Sequence, residues 1–404
     1  MHSCGMHETS GPLEVLRAFL KLGLTSFGGP IAHFGYFREE FVVRRRWLDD
    51  AAYTDLVALC QFLPGPASSQ VGFSIGLMRA GYAGGLAAWT GFTLPSAVAL
   101  VCFAYGAAAL SGPVGSGLLH GLNLVAVAVV AQAVAGMART LCPDPPRASI
   151  AAAAAVVILF STSSVAQIAV IVGGGLIGLW LCRDPVSGSS SPTVMAIPVS
   201  RRAAIGSFAA FGLLLIAPPA AQRLGAGPGM ALFDAFYRSG ALVFGGGHVV
   251  LPLLRDAFVT PGWITDGTFL SGYAAAQAIP GPLFSFAAFL GAVAAPSPHG
   301  LAGAALGLIA IFLPGMLILV GTLPFWNALR ASTAARAAMR GINAAVVGLL
   351  AAALYDPVWT SSVKNVPDLG VAIVGFVLLR VWHTSALWVV ILGAAAGIAI
   401  SLAR

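Results

Sequence analysis

Charge is what this 404-residue sequence has least of. Only 9% of its residues are Asp, Glu, Lys or Arg, against roughly 25% in a soluble domain, and its mean hydropathy is +0.90. An ordinary water-soluble globule is excluded; a polytopic membrane protein is indicated. Lysine is nearly absent, with Lys21 and Lys364 alone, so the net charge of +7 is almost all arginine. Those arginines fall in loops and at segment ends, which suits orientation at a lipid bilayer and gives no case for a nucleic-acid partner. The five cysteines (Cys4, Cys60, Cys102, Cys142, Cys182) form no C-x-x-C pair, so neither a disulfide framework nor a metal site is expected. Residues 1–10 are polar and lack the basic-then-apolar order of a cleaved signal peptide. No G-K-[ST] ending follows a glycine run, Gly245-Gly246-Gly247-His248 included. That argues against ATP-driven pumping by this chain alone, and no cofactor is implied.

What is present is a stretch written twice. Gln61-Phe62-Leu63-Pro64-Gly65-Pro66 returns as Gln277-Ala278-Ile279-Pro280-Gly281-Pro282, and its neighbourhood returns with it. Ser26-Phe27-Gly28-Gly29-Pro30 matches Val243-Phe244-Gly245-Gly246-Gly247. Phe37-Arg38-Glu39 matches Leu254-Arg255-Asp256, and Trp47 matches Trp263. Leu94-Pro95 matches Leu313-Pro314, and Gly121-Leu122-Asn123 matches Gly341-Ile342-Asn343. Ordered self-similarity in an apolar chain marks a transporter built from two structural repeats. The expected organisation is a first repeat over 11–182, a Ser/Pro-rich linker over 183–202, an extra transmembrane helix over 203–219, and a second repeat over 229–404.

Apolar runs near the roughly 17–25 residues needed to cross a bilayer occur at 83–109, 119–141, 203–217, 303–323, 342–354 and 386–402, with shorter apolar segments at 149–160 and 165–180. Other helices are cut short. Segments 11–25 and 31–43 flank the FGG element, and 51–63 and 67–78 flank the PGP element, where glycine and proline stop helix propagation. The fold expected is all-α, with two repeats whose broken or re-entrant helices meet near mid-membrane at the FGG and PGP motifs. Irregular backbone is tolerated at that depth only where it is buried or lines a cavity.

The arginine bias reverses between halves. Arg38, Arg44, Arg45 and Arg46 crowd one connection of the first half, while its 110–117 loop is uncharged. In the second half the 255–262 connection nets to zero, and 328–340 carries Arg330, Arg336 and Arg340. Equivalent loops then lie on opposite sides of the membrane, so the repeats are expected to be inverted.

F-G-G-P, a basic loop and Q-x-x-P-G-P, doubled in one chain, resemble the chromate ion transporter superfamily in its long-chain, two-repeat form. The likeness covers essentially the whole sequence, most clearly 13–141 and 236–354. It implies a multi-pass bacterial inner-membrane protein that exports chromate, confers chromate resistance and takes sulfate as a structural mimic; a homodimer is compatible with it. Two departures are visible: Gly247-His248 stands opposite Pro30-Ile31, and Leu283-Phe284-Ser285 opposite Ala67-Ser68-Ser69.

A tetrahedral dianion needs several donors and positive potential where water is scarce. Helix N-termini at a break offer N–H groups and about half a positive charge. The candidate substrate-binding residues are accordingly the breaks themselves (Phe27, Gly28 and Gly29 with Phe244, Gly245 and Gly246; Pro64, Gly65 and Pro66 with Pro280, Gly281 and Pro282). To these are added the donors Ser26, Gln61, Ser68, Ser69, Asn123, His248, Gln277, Ser285 and Asn343, and the repeat-aligned cations Lys21 with Arg238 and Arg38 with Arg255. Each has a plainer reading: the breaks as packing kinks, Arg38 and Arg255 as partners of Glu39 and Asp256, the asparagines as bonds across helices, His248 as an interior histidine. A transporter or channel for another anion such as sulfate is the alternative function. More remote is an intramembrane serine hydrolase at Ser74, within Gly72-Phe73-Ser74-Ile75-Gly76, since that motif lies inside an apolar helix rather than on a strand-to-helix elbow.

Overall fold

Proline and glycine delimit many of the helices of this chain, and side-chain caps start several others. The computed structural model describes residues 11–27, 29–109, 112–161, 164–183, 199–244 and 247–402, and among these there is no strand. In the first repeat, α1 (Pro12–Thr25) carries proline in its first turn and stops where Ser26 turns extended. Helix α2 (Gly29–Phe37) runs on into a π-helical stretch, Arg38–Arg44. Helix α3 (Asp50–Phe62) is capped by Asp49, whose carboxylate accepts the Ala52 N–H.

Helix α4 (Ala67–Ala109) is not one rod. Ala80 and Gly81 leave helical geometry, Gly81 at φ +61°, and the chain doubles back so closely that a side chain on Gly76 would collide with the Gly84 carbonyl. The expected pieces 67–78 and 83–109 are therefore the arms of a hairpin. Then come α5 (Gly112–Leu141), α6 (Pro145–Phe160) and α7 (Ser164–Leu181), followed by α8 (Arg201–Arg223).

The second repeat retraces this order. Helix α9 (Pro228–Ala241) stands for α1, α10 (Val250–Phe258) for α2, and α11 (Asp266–Ala278) for α3. Helices α12 (Phe286–Val293) and α13 (Gly300–Thr322) form the counterpart hairpin, with Gly291 pressed on Gly303. A short α14 (Trp326–Ala331) precedes α15 (Thr333–Ala353), the counterpart of α5. A π-helical stretch, Leu354–Trp359, and α16 (Thr360–Ser362) lead to α17 (Val366–Arg380) and α18 (Ala386–Leu402). Helix α17 was not anticipated from the sequence: Pro367 and Asp368 interrupt its apolar run, but they sit in its first turn, where Asn365 caps the Asp368 N–H. Among the described residues, five helices are long and apolar enough to cross a bilayer.

The packing fixes the relation between the repeats. Helix α5 runs antiparallel to α18, Gly117 meeting Gly397 and Gly121 meeting Gly393; α7 runs antiparallel to α15, Gly174 meeting Ala345 and Gly178 meeting Ala337. Helix α6 runs parallel to α15, since Ile150 clusters with Ala344 and Ala151 and Ala154 lie on Gly348. The 30-residue α5 and the 16-residue α6 laid end to end would reach about 70 Å, more than twice the roughly 30 Å of hydrocarbon. The chain must therefore reverse at 142–144, and α5 opposes its counterpart α15. The repeats are inverted, and each lends its last helices to the long helix of the other. Among the described residues two large cores result, one mainly first-repeat and one mainly second-repeat, with two smaller clusters beside them, and Trp89 and Met316 pack against both large cores.

Candidate functional site

The four breaks meet, and they meet crosswise. The Gly65 N–H of the first PGP donates to the Val243 carbonyl of the second repeat at 2.7 Å, and the Gly281 N–H of the second PGP donates to the Ser26 carbonyl of the first at 3.0 Å. Both glycines hold positive φ, +118° and +110°, a region that disfavours any side chain. Each also abuts the residue after the Leu-Pro step of the opposite repeat: a Cβ on Gly65 would lie 2.9 Å from Gly315 Cα, and one on Gly281 2.8 Å from Ser96 Oγ.

Side chains complete the clasp. Gln70 donates from Nε2 to the carbonyls of Pro64 and Gly315, both at 2.9 Å. Ser285 and Ser96 join hydroxyls at 2.6 Å. His33 bridges the two breaks of the first repeat, with Nε2 3.2 Å from the Ser26 carbonyl and Nδ1 3.3 Å from Ser68 Oγ. A carbonyl only accepts, so Nε2 carries the proton and, in the neutral ring, Nδ1 accepts from Ser68.

The Oδ1 ends of Asn123 and Asn343 are buried without a partner, but Asn123 lies by Gly267 at the far end of α11. At the clasp itself the hydroxyls of Ser26 and Ser69 and Gln70 Oε1 are buried without a partner too. A buried polar group left unpaired costs roughly 1–3 kcal/mol, so their concentration here marks a place arranged for something other than packing. Of the other expected donors, Gln277 bonds the Tyr273 hydroxyl, and Gln61 is exposed. Phe27 and Phe244 are half-buried. Gly28, Gly245 and Gly246 and the His248 side chain lie outside the described residues. Ser74 is buried beside Cys60 within α4.

The aligned cations sit elsewhere. Arg38 pairs with Asp50 at 2.6 Å, and Arg255 holds Asp266 through two bonds of 3.0 and 3.2 Å. Their partners are thus not Glu39 and Asp256 but the acids opening α3 and α11; each pair ties a broken helix to the start of the next. Lys21 lies 3.5 Å from Glu40, a buried carboxylate that Arg44 and Arg45 also bind, each at 2.7 Å. Arg238 binds Asp234 at 2.8 Å and donates from Nη2 to the Leu215 carbonyl at 2.8 Å. That carbonyl is freed because Pro219, four residues on, has no N–H to give it. Side-chain exposures of 52%, 52%, 37% and 22% for Lys21, Arg38, Arg238 and Arg255 contrast with 0% for Ser26.

Lys21→Gln is therefore expected to cost no more than about 1 kcal/mol, because Lys21 is half-exposed and the buried Glu40 keeps Arg44 and Arg45. Arg238→Gln, which strands a helix carbonyl and Asp234 together, should cost about 1–3 kcal/mol. Thermal unfolding of the two variants in detergent checks the contrast; equal losses would contradict it.

The sequence reading missed His33 and Ser96. Ser96 carried a signal, since it directly follows the repeated Leu94-Pro95 step. His33 carried none, because its repeat counterpart is an apolar valine, Val250.

Comparison with known proteins finds relatives along nearly the whole chain. The chain is 29% identical to a chromate transport protein of Pseudomonas aeruginosa over 398 residues, 96% of this chain and 91% of that one. It is 25% identical to a probable chromate transport protein of Synechococcus elongatus over 86% of this chain and 85% of that one. It is 26% identical to an uncharacterized transporter of Methanocaldococcus jannaschii over 86% and 85%. No solved structure matches. The family model for chromate transporters matches residues 13–179 and 230–398, the two repeats in turn. With both repeats matched and joined at one buried clasp, this chain belongs to the chromate transporter family: it is a multi-pass membrane transporter and not an enzyme.

Proposed function

We propose that the chain exports chromate, with sulfate as its mimic, across the bacterial inner membrane as a secondary transporter, and so confers chromate resistance. The observation that carries this reading is the crossed clasp, Gly65 on Val243 and Gly281 on Ser26, with unpartnered hydroxyls of Ser26 and Ser69 beside it. A tetrahedral dianion has only acceptors, and donors at helix breaks are what it needs where water is excluded. The short helices α1–α3 and α9–α11 read as broken or re-entrant pieces that carry the clasp to mid-membrane. Inverted repeats joined at such a site give alternating access by rocking one bundle against the other.

The basic connection with Arg44, Arg45 and Arg46 faces the cytoplasm in this reading, and the connection around Gly262 faces outside. Single cysteines introduced at Arg45 and Gly262 should react with an impermeant maleimide from opposite sides; labelling from one side would reject the orientation. Inverted vesicles should accumulate labelled chromate when a proton gradient or membrane potential is imposed. Flux that ignores both driving forces would mean a passive channel.

A further inference from the structure

We infer that the indole N–H of Trp89 and the hydroxyl of Thr93 are hydrogen-bond donors to the transported oxyanion, at the seam between the two repeats. This rests on the oxyanion reading above and names contacts for it.

The second arm of α4 presents Trp89, Thr93 and Ser96 at i, i+4 and i+7, which puts them on one helix face. Contacts show where that face looks. The Trp89 ring stands edge-to-face with Phe312 of α13, centroids 5.7 Å apart, and Ser96 bonds Ser285 just past the second PGP. Thr93, between them, is 2% exposed. Trp89 Nε1 and Thr93 Oγ1 are both buried with no partner.

Neither is easily explained by packing. A helical threonine ordinarily returns its hydroxyl to the carbonyl one turn back, and an indole N–H can only donate. Two stranded donors on one face, each costing free energy, make sense if a ligand brings acceptors. Because Trp89 can only donate, that ligand brings acceptors, as the oxyanion of the functional reading does and a bare cation does not.

The internal repeat supplies a control. Counted from Leu313-Pro314, the counterparts of Trp89 and Thr93 are Leu308 and Phe312. The fold builds the same hairpin there without any donor, so the donors are not demanded by the architecture. Trp89 also touches both cores, which puts this face where two rocking halves part.

Thr93→Val keeps the shape and deletes only the hydroxyl; Trp89→Phe keeps an aromatic ring against Phe312 but removes part of the indole together with its N–H. Removing the unsatisfied hydroxyl in Thr93→Val should leave the melting temperature in detergent unchanged or raised, whereas Trp89→Phe should lower it by the packing it loses. Chromate flux into inverted vesicles should nevertheless fall roughly tenfold in each variant, as loss of a hydrogen bond to a charged group predicts. Thr93→Ser should recover most of the flux lost in Thr93→Val. Variants with parental flux and parental KM overturn this inference alone. A parent protein that moves none of chromate, sulfate and molybdate overturns the functional reading and the inference with it.

Discussion

Gly65→Ala and Gly281→Ala are each expected to abolish chromate flux while the protein still inserts in the membrane. One methyl group is asked to do this, so the costs must be large and local. An L-residue at φ +118° or +110° carries backbone strain on the order of 1–3 kcal/mol. The methyl then meets Gly315 Cα at 2.9 Å in one case and Ser96 Oγ at 2.8 Å in the other, and overpacking typically adds about 1–3 kcal/mol. The cheapest escape is to move the break away, which lengthens the Gly65–Val243 or Gly281–Ser26 hydrogen bond and opens the clasp. Gly65→Ala should be the more severe of the two, because its obstacle is backbone, whereas Ser96 can rotate once it gives up Ser285. Flux measured at matched protein abundance decides the matter. Parental activity in both variants would reduce the PGP elements to helix kinks.

The breaks were legible because glycine and proline act locally: each ends a helix wherever the chain goes next. Their doubling gave the repeats, and the arginine bias gave the inversion that helix packing bears out. The crossing of the clasp was not legible. Nothing near Gly65 says that its partner is Val243 in the other repeat, since a hydrogen bond to a main-chain carbonyl leaves no mark on side-chain identity. The aligned cations were only partly legible for a related reason. Recurrence of Arg38 with Arg255 does report a shared role, and the recurring acids Asp50 and Asp266 held the rest of the message: an ion-pair clamp in each repeat. The structural role of Arg238 depends on Pro219 in α8, a helix without a counterpart in the other repeat, so no comparison of the repeats could disclose it.

The pair Gly121 and Gly341 was found as a repeated anchor with an asparagine two residues on, and the glycine is the half of that anchor the structure explains. Each lies where the long helix of one repeat crosses a terminal helix of the other, and a side chain there would run into backbone: the Gly393 carbonyl for Gly121, the Gly174 carbonyl for Gly341. In lipid no hydrophobic effect pulls helices together, so close approach at small residues supplies much of what holds them. Gly121→Leu and Gly341→Leu should therefore part α5 from α18 and α15 from α7, undoing the exchange that joins the repeats. Ordinary overpacking at about 1–3 kcal/mol is a floor here, because the obstruction cannot rotate aside. Both variants should be lost as folded, monodisperse protein after detergent extraction. Gly136 on α5 and Gly173 on α7 have no neighbour within 4 Å of a Cβ, and leucine there removes a helix-interior glycine worth up to about 1 kcal/mol. Gly136→Leu and Gly173→Leu should accordingly be recovered at or above the parental yield. If Gly121→Leu were as abundant and as thermally stable as Gly136→Leu, the crossed exchange of helices would not be what holds the two repeats together.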